Sequence, residues 1–338
     1  MALFSRDLGV DLGTMFIRVA EPARGGRILL EEPTVAAIVV EENKLVEWGK
    51  AAQDMYGRAP ESLEVIRPLR NGVIAEFEVT ARMLEWIFKK RLAGPLPFFH
   101  PQVMITVPHG VTSVERRAVQ EAGLQAGGDV ALIWQPQAAA LGVDLPIGTP
   151  TGNMLLCLGG GATQAAVLAM YGIVAGETIR MGGIQLDESI VAYVRKKYGI
   201  IIGQMTAEQV KIKIGAAVIQ DEEQSMEIQG QDQVTGLPRP VTLTTGEVVE
   251  AMEETLKAMV ETARRALEKT PPELVSDIID RGVALTGGGA LLRGIDKLMT
   301  KELGVPAYVV DNPTTCVAEG AARAVKMREQ LRRNLPPT

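Results

Sequence analysis

The stretch that most constrains this chain is Cys157-Leu158-Gly159-Gly160-Gly161-Ala162-Thr163. The apolar run from Met154 to Leu156 leads into it and the run from Ala165 to Leu168 follows. Two apolar runs around a short glycine turn predict a β-hairpin. Three successive glycines leave backbone N–H groups with no side chain in front of them, so such a turn can wrap an anion, above all a phosphate; an ordinary tight hairpin is the other reading. A second unit of the same layout stands near the start of the chain: Asp7 to Leu12, the turn Gly13-Thr14, then Met15 to Ala20. Third strands are expected at Arg27 to Leu30 and at Ile173 to Ile179. Two copies of such a unit, each followed by helices, predict two similar α/β lobes whose turns converge on one ligand.

Composition narrows the function classes. A chain of 338 residues suggests two domains or one two-lobed body, and 46% apolar residues supply a core. Aromatic residues make up only 4%, so that core must rest on Val, Ile, Leu, Ala and Met. A net charge of −6 with no basic face argues against a nucleic-acid binder. Cys157 and Cys316 are far apart and show no metal-ligand spacing, and His100 and His109 alone make no metal site. No apolar run approaches the roughly 18 residues of a membrane span, and no signal-peptide core is evident, so a soluble, cytoplasmic protein is expected.

Between the two units, strands are expected at Thr34 to Val40, Lys44 to Trp48, Val103 to Val107 and Ala131 to Trp134, with a short helix from Ala51 to Tyr56. Pro68 to Val73 reads as a turn. Thr80 is expected to cap a helix running to about Leu92, with Met83, Leu84, Ile87 and Phe88 buried. Thr112-x-x-Glu115 reads as a capping box for a helix that Gly127-Gly128 ends, and a small-residue helix follows from Pro136 to Gly142. In the second half, helices are expected at Leu186 to Tyr198, from Thr206-x-x-Gln209 to near Gly215, and from Thr244-x-x-Glu247 to the stop at Pro271-Pro272. The last of these carries the stripe Val248, Met252, Leu256, Met259, Ala263 and Leu267. Alternation from Glu222 to Leu243 predicts a small hairpin. A strand from Gly282 to Leu285 enters Thr286-Gly287-Gly288-Gly289, followed by a helix from Leu291, a strand from Ala307 to Val310, a final helix from Cys316 to Leu331 and a frayed tail over 332–338.

Three glycine turns thus stand in order, at Asp11-Leu12-Gly13-Thr14, Gly159-Gly160-Gly161 and Thr286-Gly287-Gly288-Gly289. That order resembles the superfamily of actin, sugar kinases and DnaK-type chaperones, where the first two turns hold phosphates and the third holds adenosine. The wording is closer to the MreB/Mbl family of bacterial actins at Ser5 to Thr14, Arg67 to Phe77, Val107 to Glu121, Pro150 to Asn153, Thr270 to Arg293 and Asp311 to Cys316. The resemblance spans nearly the whole chain. It implies an α/β, actin-like (duplicated RNase H-like) two-lobed fold with four subdomains. The first lobe would run over 1–140, with a small subdomain inserted at about 33–70. The second would run over 141–318, with an insert at about 184–245, and 319–338 would form a C-terminal helix returning to the first lobe.

The resemblance implies ATP or ADP with Mg2+ in the cleft. Its cofactor-binding residues would be Asp11, Gly13, Thr14, Met15, Cys157, Gly159, Gly160, Gly161, Ala162, Glu208, Lys211, Gly287, Gly288 and Gly289, with Asp11 holding Mg2+ through water. Glu208 and Lys211 stand three apart, on one helix face, matching the family's Glu-x-x-Lys at base and ribose; a plain solvated face is the other reading. The departures from the family pattern remove polarity. Met15-Phe16-Ile17 replace Ala-Asn-Thr, Cys157 replaces an Asp, Ala162 a Thr, Ile184 an Asp, Lys213 a Glu, and Gln135, at the water-activating position, a Glu beside which Trp134 replaces another. Hydrolysis needs a positioned water, a metal and donors for the developing charge. The expectation is therefore a protein with ATP in the cleft, weak or absent hydrolysis and binding that is weakened or lost, against an active ATPase with a re-tuned site. Cys157 reads as a buried, inert thiol.

The charge-free loop from Gly94 to Pro101 presents Leu96, Phe98 and Phe99 after Lys89, Lys90 and Arg91, a pattern suited to an anionic inner leaflet; packing of the rings into the protein is the alternative. Leu3 and Phe4 would add a small contact. By resemblance the chain forms or joins membrane-associated filaments, with itself or an MreB paralogue, at the inner face of the cytoplasmic membrane. Cell-wall synthesis and cell shape would be organised there with RodZ-, MreC- and MreD-type partners and without nucleic acid. A sugar kinase would need a catalytic carboxylate and a polar sugar pocket, and neither is found; a non-polymerising adaptor of the FtsA/PilM type stays open.

Overall fold

The computed structural model describes residues 7–23, 26–42, 44–92 and 101–337. The first half runs β1 (Leu8–Leu12), β2 (Phe16–Glu21), β3 (Arg27–Pro33), β4 (Ala36–Val39), β5 (Lys44–Trp48), α1 (Lys50–Asp54), β6 (Leu63–Ile66), β7 (Leu69–Arg70), β8 (Val73–Ile74), α2 (Phe77–Leu92), β9 (Gln102–Val107), α3 (Ser113–Gln125), β10 (Asp129–Trp134) and α4 (Gln135–Gly142). The second half runs β11 (Asn153–Leu158), β12 (Thr163–Ala169), β13 (Gly172–Ile179), α5 (Gly183–Tyr198), β14 (Ile200–Ile201), α6 (Gln204–Ile214), β15 (Ser225–Asp232), β16 (Pro238–Thr244), α7 (Thr245–Glu268), α8 (Pro272–Arg281), β17 (Val283–Thr286), a 3-10 turn at Gly288–Leu291, α9 (Ile295–Leu303), β18 (Ala307–Val309), α10 (Cys316–Lys326) and α11 (Arg328–Leu331).

The internal repeat is real at the level of topology. One five-stranded sheet has the order β10-β9-β1-β2-β3 and the other β18-β17-β11-β12-β13. In each, a three-strand antiparallel meander is extended by two parallel strands. Parallel neighbours buried on both faces demand near-continuous apolar sequence, and β1 and β11 are buried at every position. Two small three-stranded sheets, β5-β4-β6 and β14-β15-β16, accompany the large ones.

Three cores result. One underlies the first sheet, on Leu8, Val10, Leu12 and the α2 face Met83, Leu84, Ile87 and Phe88. A second underlies the other sheet, where α7 lays down its stripe of Val248, Met252, Leu256, Met259 and Ala263; each buried Leu or Met there contributes about 1.5–3 kcal/mol. A third lies between the sheets and is built of small residues, Ala138 and Ala139 of α4 with Cys316, Ala321 and Ala324 of α10. There the backbones nearly touch. A Cβ at Gly320 would lie 1.7 Å from the carbonyl oxygen of Ala138, and one at Gly142 would lie 1.9 Å from that of Cys316.

Several local expectations are corrected. Thr80 does not cap α2; the helix begins three residues earlier, and the Thr80 hydroxyl donates inside it to the carbonyl of Glu76 (2.8 Å). Thr206 likewise lies inside α6, whose N-cap is Gly203. By contrast, Thr112 and Thr244 both form full capping boxes. Leu291 closes a 3-10 turn, and the next helix waits until Ile295. The final helix breaks at Met327. The tail is not frayed over its described residues: Asn334 donates to the carbonyl of Met170 (3.2 Å) and Arg116 to that of Pro337 (3.3 Å).

Candidate functional site

The two repeated hairpins place their turns face to face. The first turn closes with Gly13 N–H donating to the carbonyl of Phe16 (3.2 Å). It is braced by Thr34, whose hydroxyl donates to the Gly13 carbonyl (2.7 Å) and whose N–H donates to that of Met15 (2.9 Å). The second turn closes from Gly159 N–H to the Ala162 carbonyl (3.0 Å), and the first N–H groups of α5 dock on it, Gly183 on Gly159 (2.9 Å) and Ile184 on Gly160 (2.9 Å). A Cβ at Gly160 would fall 2.1 Å from Met15 Cγ, and one at Gly161 2.5 Å from Thr14 Oγ1. Glycine is therefore required for the two turns to approach, and Met15 lies against the second one. The predicted turn at Pro68 to Val73 is a two-residue hairpin, with Asn71 at φ 51° and Gly72 at φ 82°. It joins the site because Gly72 N–H donates to Thr14 Oγ1 (2.9 Å).

Together with the third turn these elements line a cavity of about 460 Å3, within the usual size of small-molecule sites. Asp11, Gly13, Thr14, Met15, Cys157, Gly159, Gly160, Gly161, Ala162, Glu208, Lys211, Gly287, Gly288 and Gly289 all line it, as does Gln135. Gly287 has φ +83°, and a Cβ at Gly288 would meet nothing within 4 Å; backbone is open to the cavity there. Leu96, Phe98 and Phe99 of the proline-rich loop, like Leu3 and Phe4, lie outside the described residues.

A directional hydrogen-bond chain crosses the cleft floor. His109 N–H donates to Gln164 Oε1 (2.8 Å), Gln164 Nε2 to Gln135 Oε1 (2.6 Å), and Gln135 Nε2, at a long 3.5 Å, to Asp11 Oδ1. A backbone N–H can only donate, so it sets the orientation of both amides. The carbonyl oxygen of Gln135 is thereby engaged by Gln164. Asp11 Oδ1 also accepts from Thr106 Oγ1 (2.9 Å), which in turn accepts from Leu12 N–H (3.3 Å). Burial raises the Asp11 carboxyl above its ordinary range, while Arg18, Thr106 and Gln135 act against that rise. The Cys157 thiol is pushed up to about 12 by burial and stays protonated at neutral pH.

On the opposite wall, Lys211 Nζ pairs with Asp187 Oδ1 (2.7 Å) and donates to the Gly183 carbonyl (2.9 Å). Burial pushes Asp187 up to about 6 even though Lys211 opposes it. Arg293 ties this wall to the third turn, with Nε donating to the Gly215 carbonyl (3.0 Å) and Nη1 to Gln224 Oε1 (2.8 Å). Ile212 and Leu291 line the cavity yet are 64% and 62% exposed. Sequence reading missed Arg18, Glu31, Gln164 and Arg293 as lining residues. Hairpin counting would have found Arg18, which pairs with Asp11 across the first turn.

Among the described residues no helix is long and apolar enough to cross a membrane. The profile of the MreB/Mbl protein family matches residues 5–333. The cell shape-determining protein MreB of Haemophilus influenzae is 44% identical over 96% of this chain and 94% of its own length. Mbl of Bacillus cereus is 44% identical over 97% and 98%. The ADP-bound structure of MreB5 of Spiroplasma citri superposes with TM-score 0.90 at 32% identity, covering 97% of this chain and 98% of that one. The MamK double helical filament subunit, at 22% identity and TM-score 0.78, shares the fold.

Proposed function

Because this chain belongs to the MreB/Mbl family, we propose that it is an actin-like, cell shape-determining cytoskeletal protein that forms or joins filaments and holds an adenine nucleotide in the cleft between its lobes. The carrying observation is the single cavity into which all three glycine turns open. MreB5 of Spiroplasma citri has been seen with ADP and with AMPPNP, which supports the same ligand class here. In this reading the lobes divide near residue 140, and the segment from 319 returns to the first lobe.

The phosphates would lie between Gly13-Thr14-Met15 and Gly159-Gly160-Gly161, and the nucleoside toward Glu208, Ile212 and Gly288. Among the described residues no three His, Cys, Asp or Glu gather to hold a metal unaided. With Oδ1 of Asp11 already accepting two hydrogen bonds, its Oδ2 fits the remaining role of contacting a hydrated Mg2+ carried mainly by the phosphates. Such an ion supplies neutralisation of phosphate charge. Hydrolysis is weak or absent in our reading, for three reasons on the protein side. Gln135 is an amide, which can orient a water but cannot take its proton, and one lone pair of its oxygen is already engaged by Gln164. Cys157 is a neutral thiol where an anchoring carboxylate would help. Met15 sets an apolar side chain against Gly160 at the phosphate turn. Phosphate release by the purified protein tests this: turnover equal to that of an ordinary MreB refutes it, and turnover gained in Cys157→Asp/Gln135→Glu supports it.

The loop bearing Leu96, Phe98 and Phe99 is proposed to touch an anionic inner leaflet, which places the protein at the cytoplasmic membrane near RodZ-, MreC- and MreD-type partners. Full sedimentation of Phe98→Ser/Phe99→Ser with liposomes would sink that part. Electron microscopy with and without ATP separates a filament former from a non-polymerising adaptor.

A further inference from the structure

We propose that Arg18 is a phosphate-binding residue of this cleft, supplying from the protein a counter-charge to the nucleotide's terminal phosphates. The proposal rests on the adenine-nucleotide reading above. Arg18 faces Asp11 directly across the β1–β2 ladder, so both side chains leave the same face of the sheet. That face is the one toward α10, since its other β1 member, Gly9, has Ala322 of α10 within 2.1 Å of where a Cβ would stand. Both Arg18 and Asp11 line the cavity, alongside Gly13, Thr14 and Met15 of the first phosphate turn.

The Arg18 side chain is partly buried and its donors are under-used. Its side chain is 12% exposed, its Nη2 reaches Glu31 Oε1 (3.1 Å), and Glu31 is itself 42% exposed. Its Nε is buried with no hydrogen-bond partner among the described residues, an unfavourable condition that an arriving acceptor relieves. The charge rests over the Phe16 ring at 4.9 Å, which holds it in place without consuming a donor. Of the other cations on the cavity wall, Lys211 is engaged by Asp187 and Gly183, and Arg293, though its Nη2 is also buried and unpartnered among the described residues, is tied by Nε and Nη1 to Gly215 and Gln224 beside the third turn. A planar guanidinium with spare donors matches two phosphate oxygens at once. With Cys157 neutral and Asp11 the carboxylate at the phosphate turns, this cleft carries its own positive group where a divalent ion would otherwise do all the neutralising. Glu31 acts as the positioning residue, holding Nη2 while phosphate oxygens take the remaining donors.

Isothermal titration of the full chain with ADP and with adenosine, in Mg2+ and in EDTA, tests this. Loss of charged hydrogen bonds to phosphate predicts that Arg18→Leu weakens ADP binding by about 10- to 100-fold, leaves adenosine binding unchanged, and shows its largest loss in EDTA. Arg18→Lys, which keeps the charge, recovers part of the ADP affinity. The double variant Arg18→Leu/Glu31→Gln, which removes the carboxylate left unpaired, behaves like Arg18→Leu. Equal ADP affinity in wild type and Arg18→Leu overturns the proposal while leaving the nucleotide reading intact. Equal losses for ADP and adenosine assign Arg18 a merely structural role and also overturn it. A wild-type protein that binds neither ligand refutes the nucleotide reading and the proposal with it.

Discussion

Replacement of Gly320 by Ala is the sharpest probe of how the lobes are joined. Gly320 lies inside α10, where Ala is intrinsically favoured over Gly by about 1 kcal/mol. Helix propensity alone therefore predicts stabilisation. Packing predicts the reverse, because the new methyl would sit 1.7 Å from the Ala138 carbonyl oxygen and inside contact distance of α4 backbone beyond it, at 2.6 Å from Ala138 C and 2.7 Å from Gly142 N. An ordinary contact needs about twice the closest of these separations. Backbone cannot rotate away as a side chain does, so α4 and α10 must move apart and the small-residue layer of Ala139, Ala321 and Ala324 loosens with them. Overpacking of this kind costs about 1–3 kcal/mol, and more when backbone is the obstacle, which exceeds the propensity gain. Gly123→Ala is the control. It too is a helix-interior position, but there the methyl would meet side-chain ends, Ile105 Cδ1 at 2.7 Å and Val130 Cγ2 at 2.8 Å, which can shift. Thermal melting followed by circular dichroism should show Gly320→Ala lower than wild type by a few degrees, since about 2–4 °C accompanies each kcal/mol in domains of 150–250 residues and less in longer chains. Gly123→Ala should fall by less. A Gly320→Ala protein melting at or above the wild-type temperature refutes the backbone-contact argument.

Other outcomes follow from the same geometry. Cys157 and Cys316 are both buried, with the first thiol pushed up to about 12 and the second also raised by burial, so iodoacetamide at pH 8 should label neither until the chain unfolds; mass spectrometry of native labelled protein reads this, and a Cys157 adduct contradicts it. Asp187 is raised from 3.8 to about 6, so the folded state holds a proton that the unfolded state releases. Its contribution is complete below about pH 4 and is lost as pH rises through about 6, at most about 3 kcal/mol. Denaturant melts from pH 4 to 7 should show wild-type stability declining relative to Asp187→Asn across that window, and parallel curves would exclude it. Gln164→Ala strands the His109 N–H and the Gln135 carbonyl oxygen, costing about 1–3 kcal/mol; an unchanged melting temperature would mean the chain of amides contributes nothing.

Much of the molecule was legible because its local signals were strong. The hairpins around Gly13 and Gly159, the α7 stripe and the Thr112 and Thr244 boxes are set by alternation, turn chemistry and capping, all short-range effects. The failures were also local. Thr80 and Thr206 carry the right residue type for a cap, yet nothing upstream forbade the helix, so α2 and α6 extended by one turn or part of one. At the tail, polar and proline-containing residues read as fraying, whereas docking of Asn334 and Pro337 on distant elements held them.

The site divides along the same line. Sequence alone determined which glycines could approach a ligand and which polar groups had been replaced, because those are properties of residue type and order. Only the tertiary structure decided that Met15 lies on Gly160, that Gln164 engages the oxygen of Gln135, that Lys211 is already paired, and that Arg18 stands beside Asp11 with a donor to spare. Each of those facts depends on where two segments distant in sequence, or two strands in a particular register, bring side chains within a few ångströms, and hydrogen bonds and charges act only over such distances.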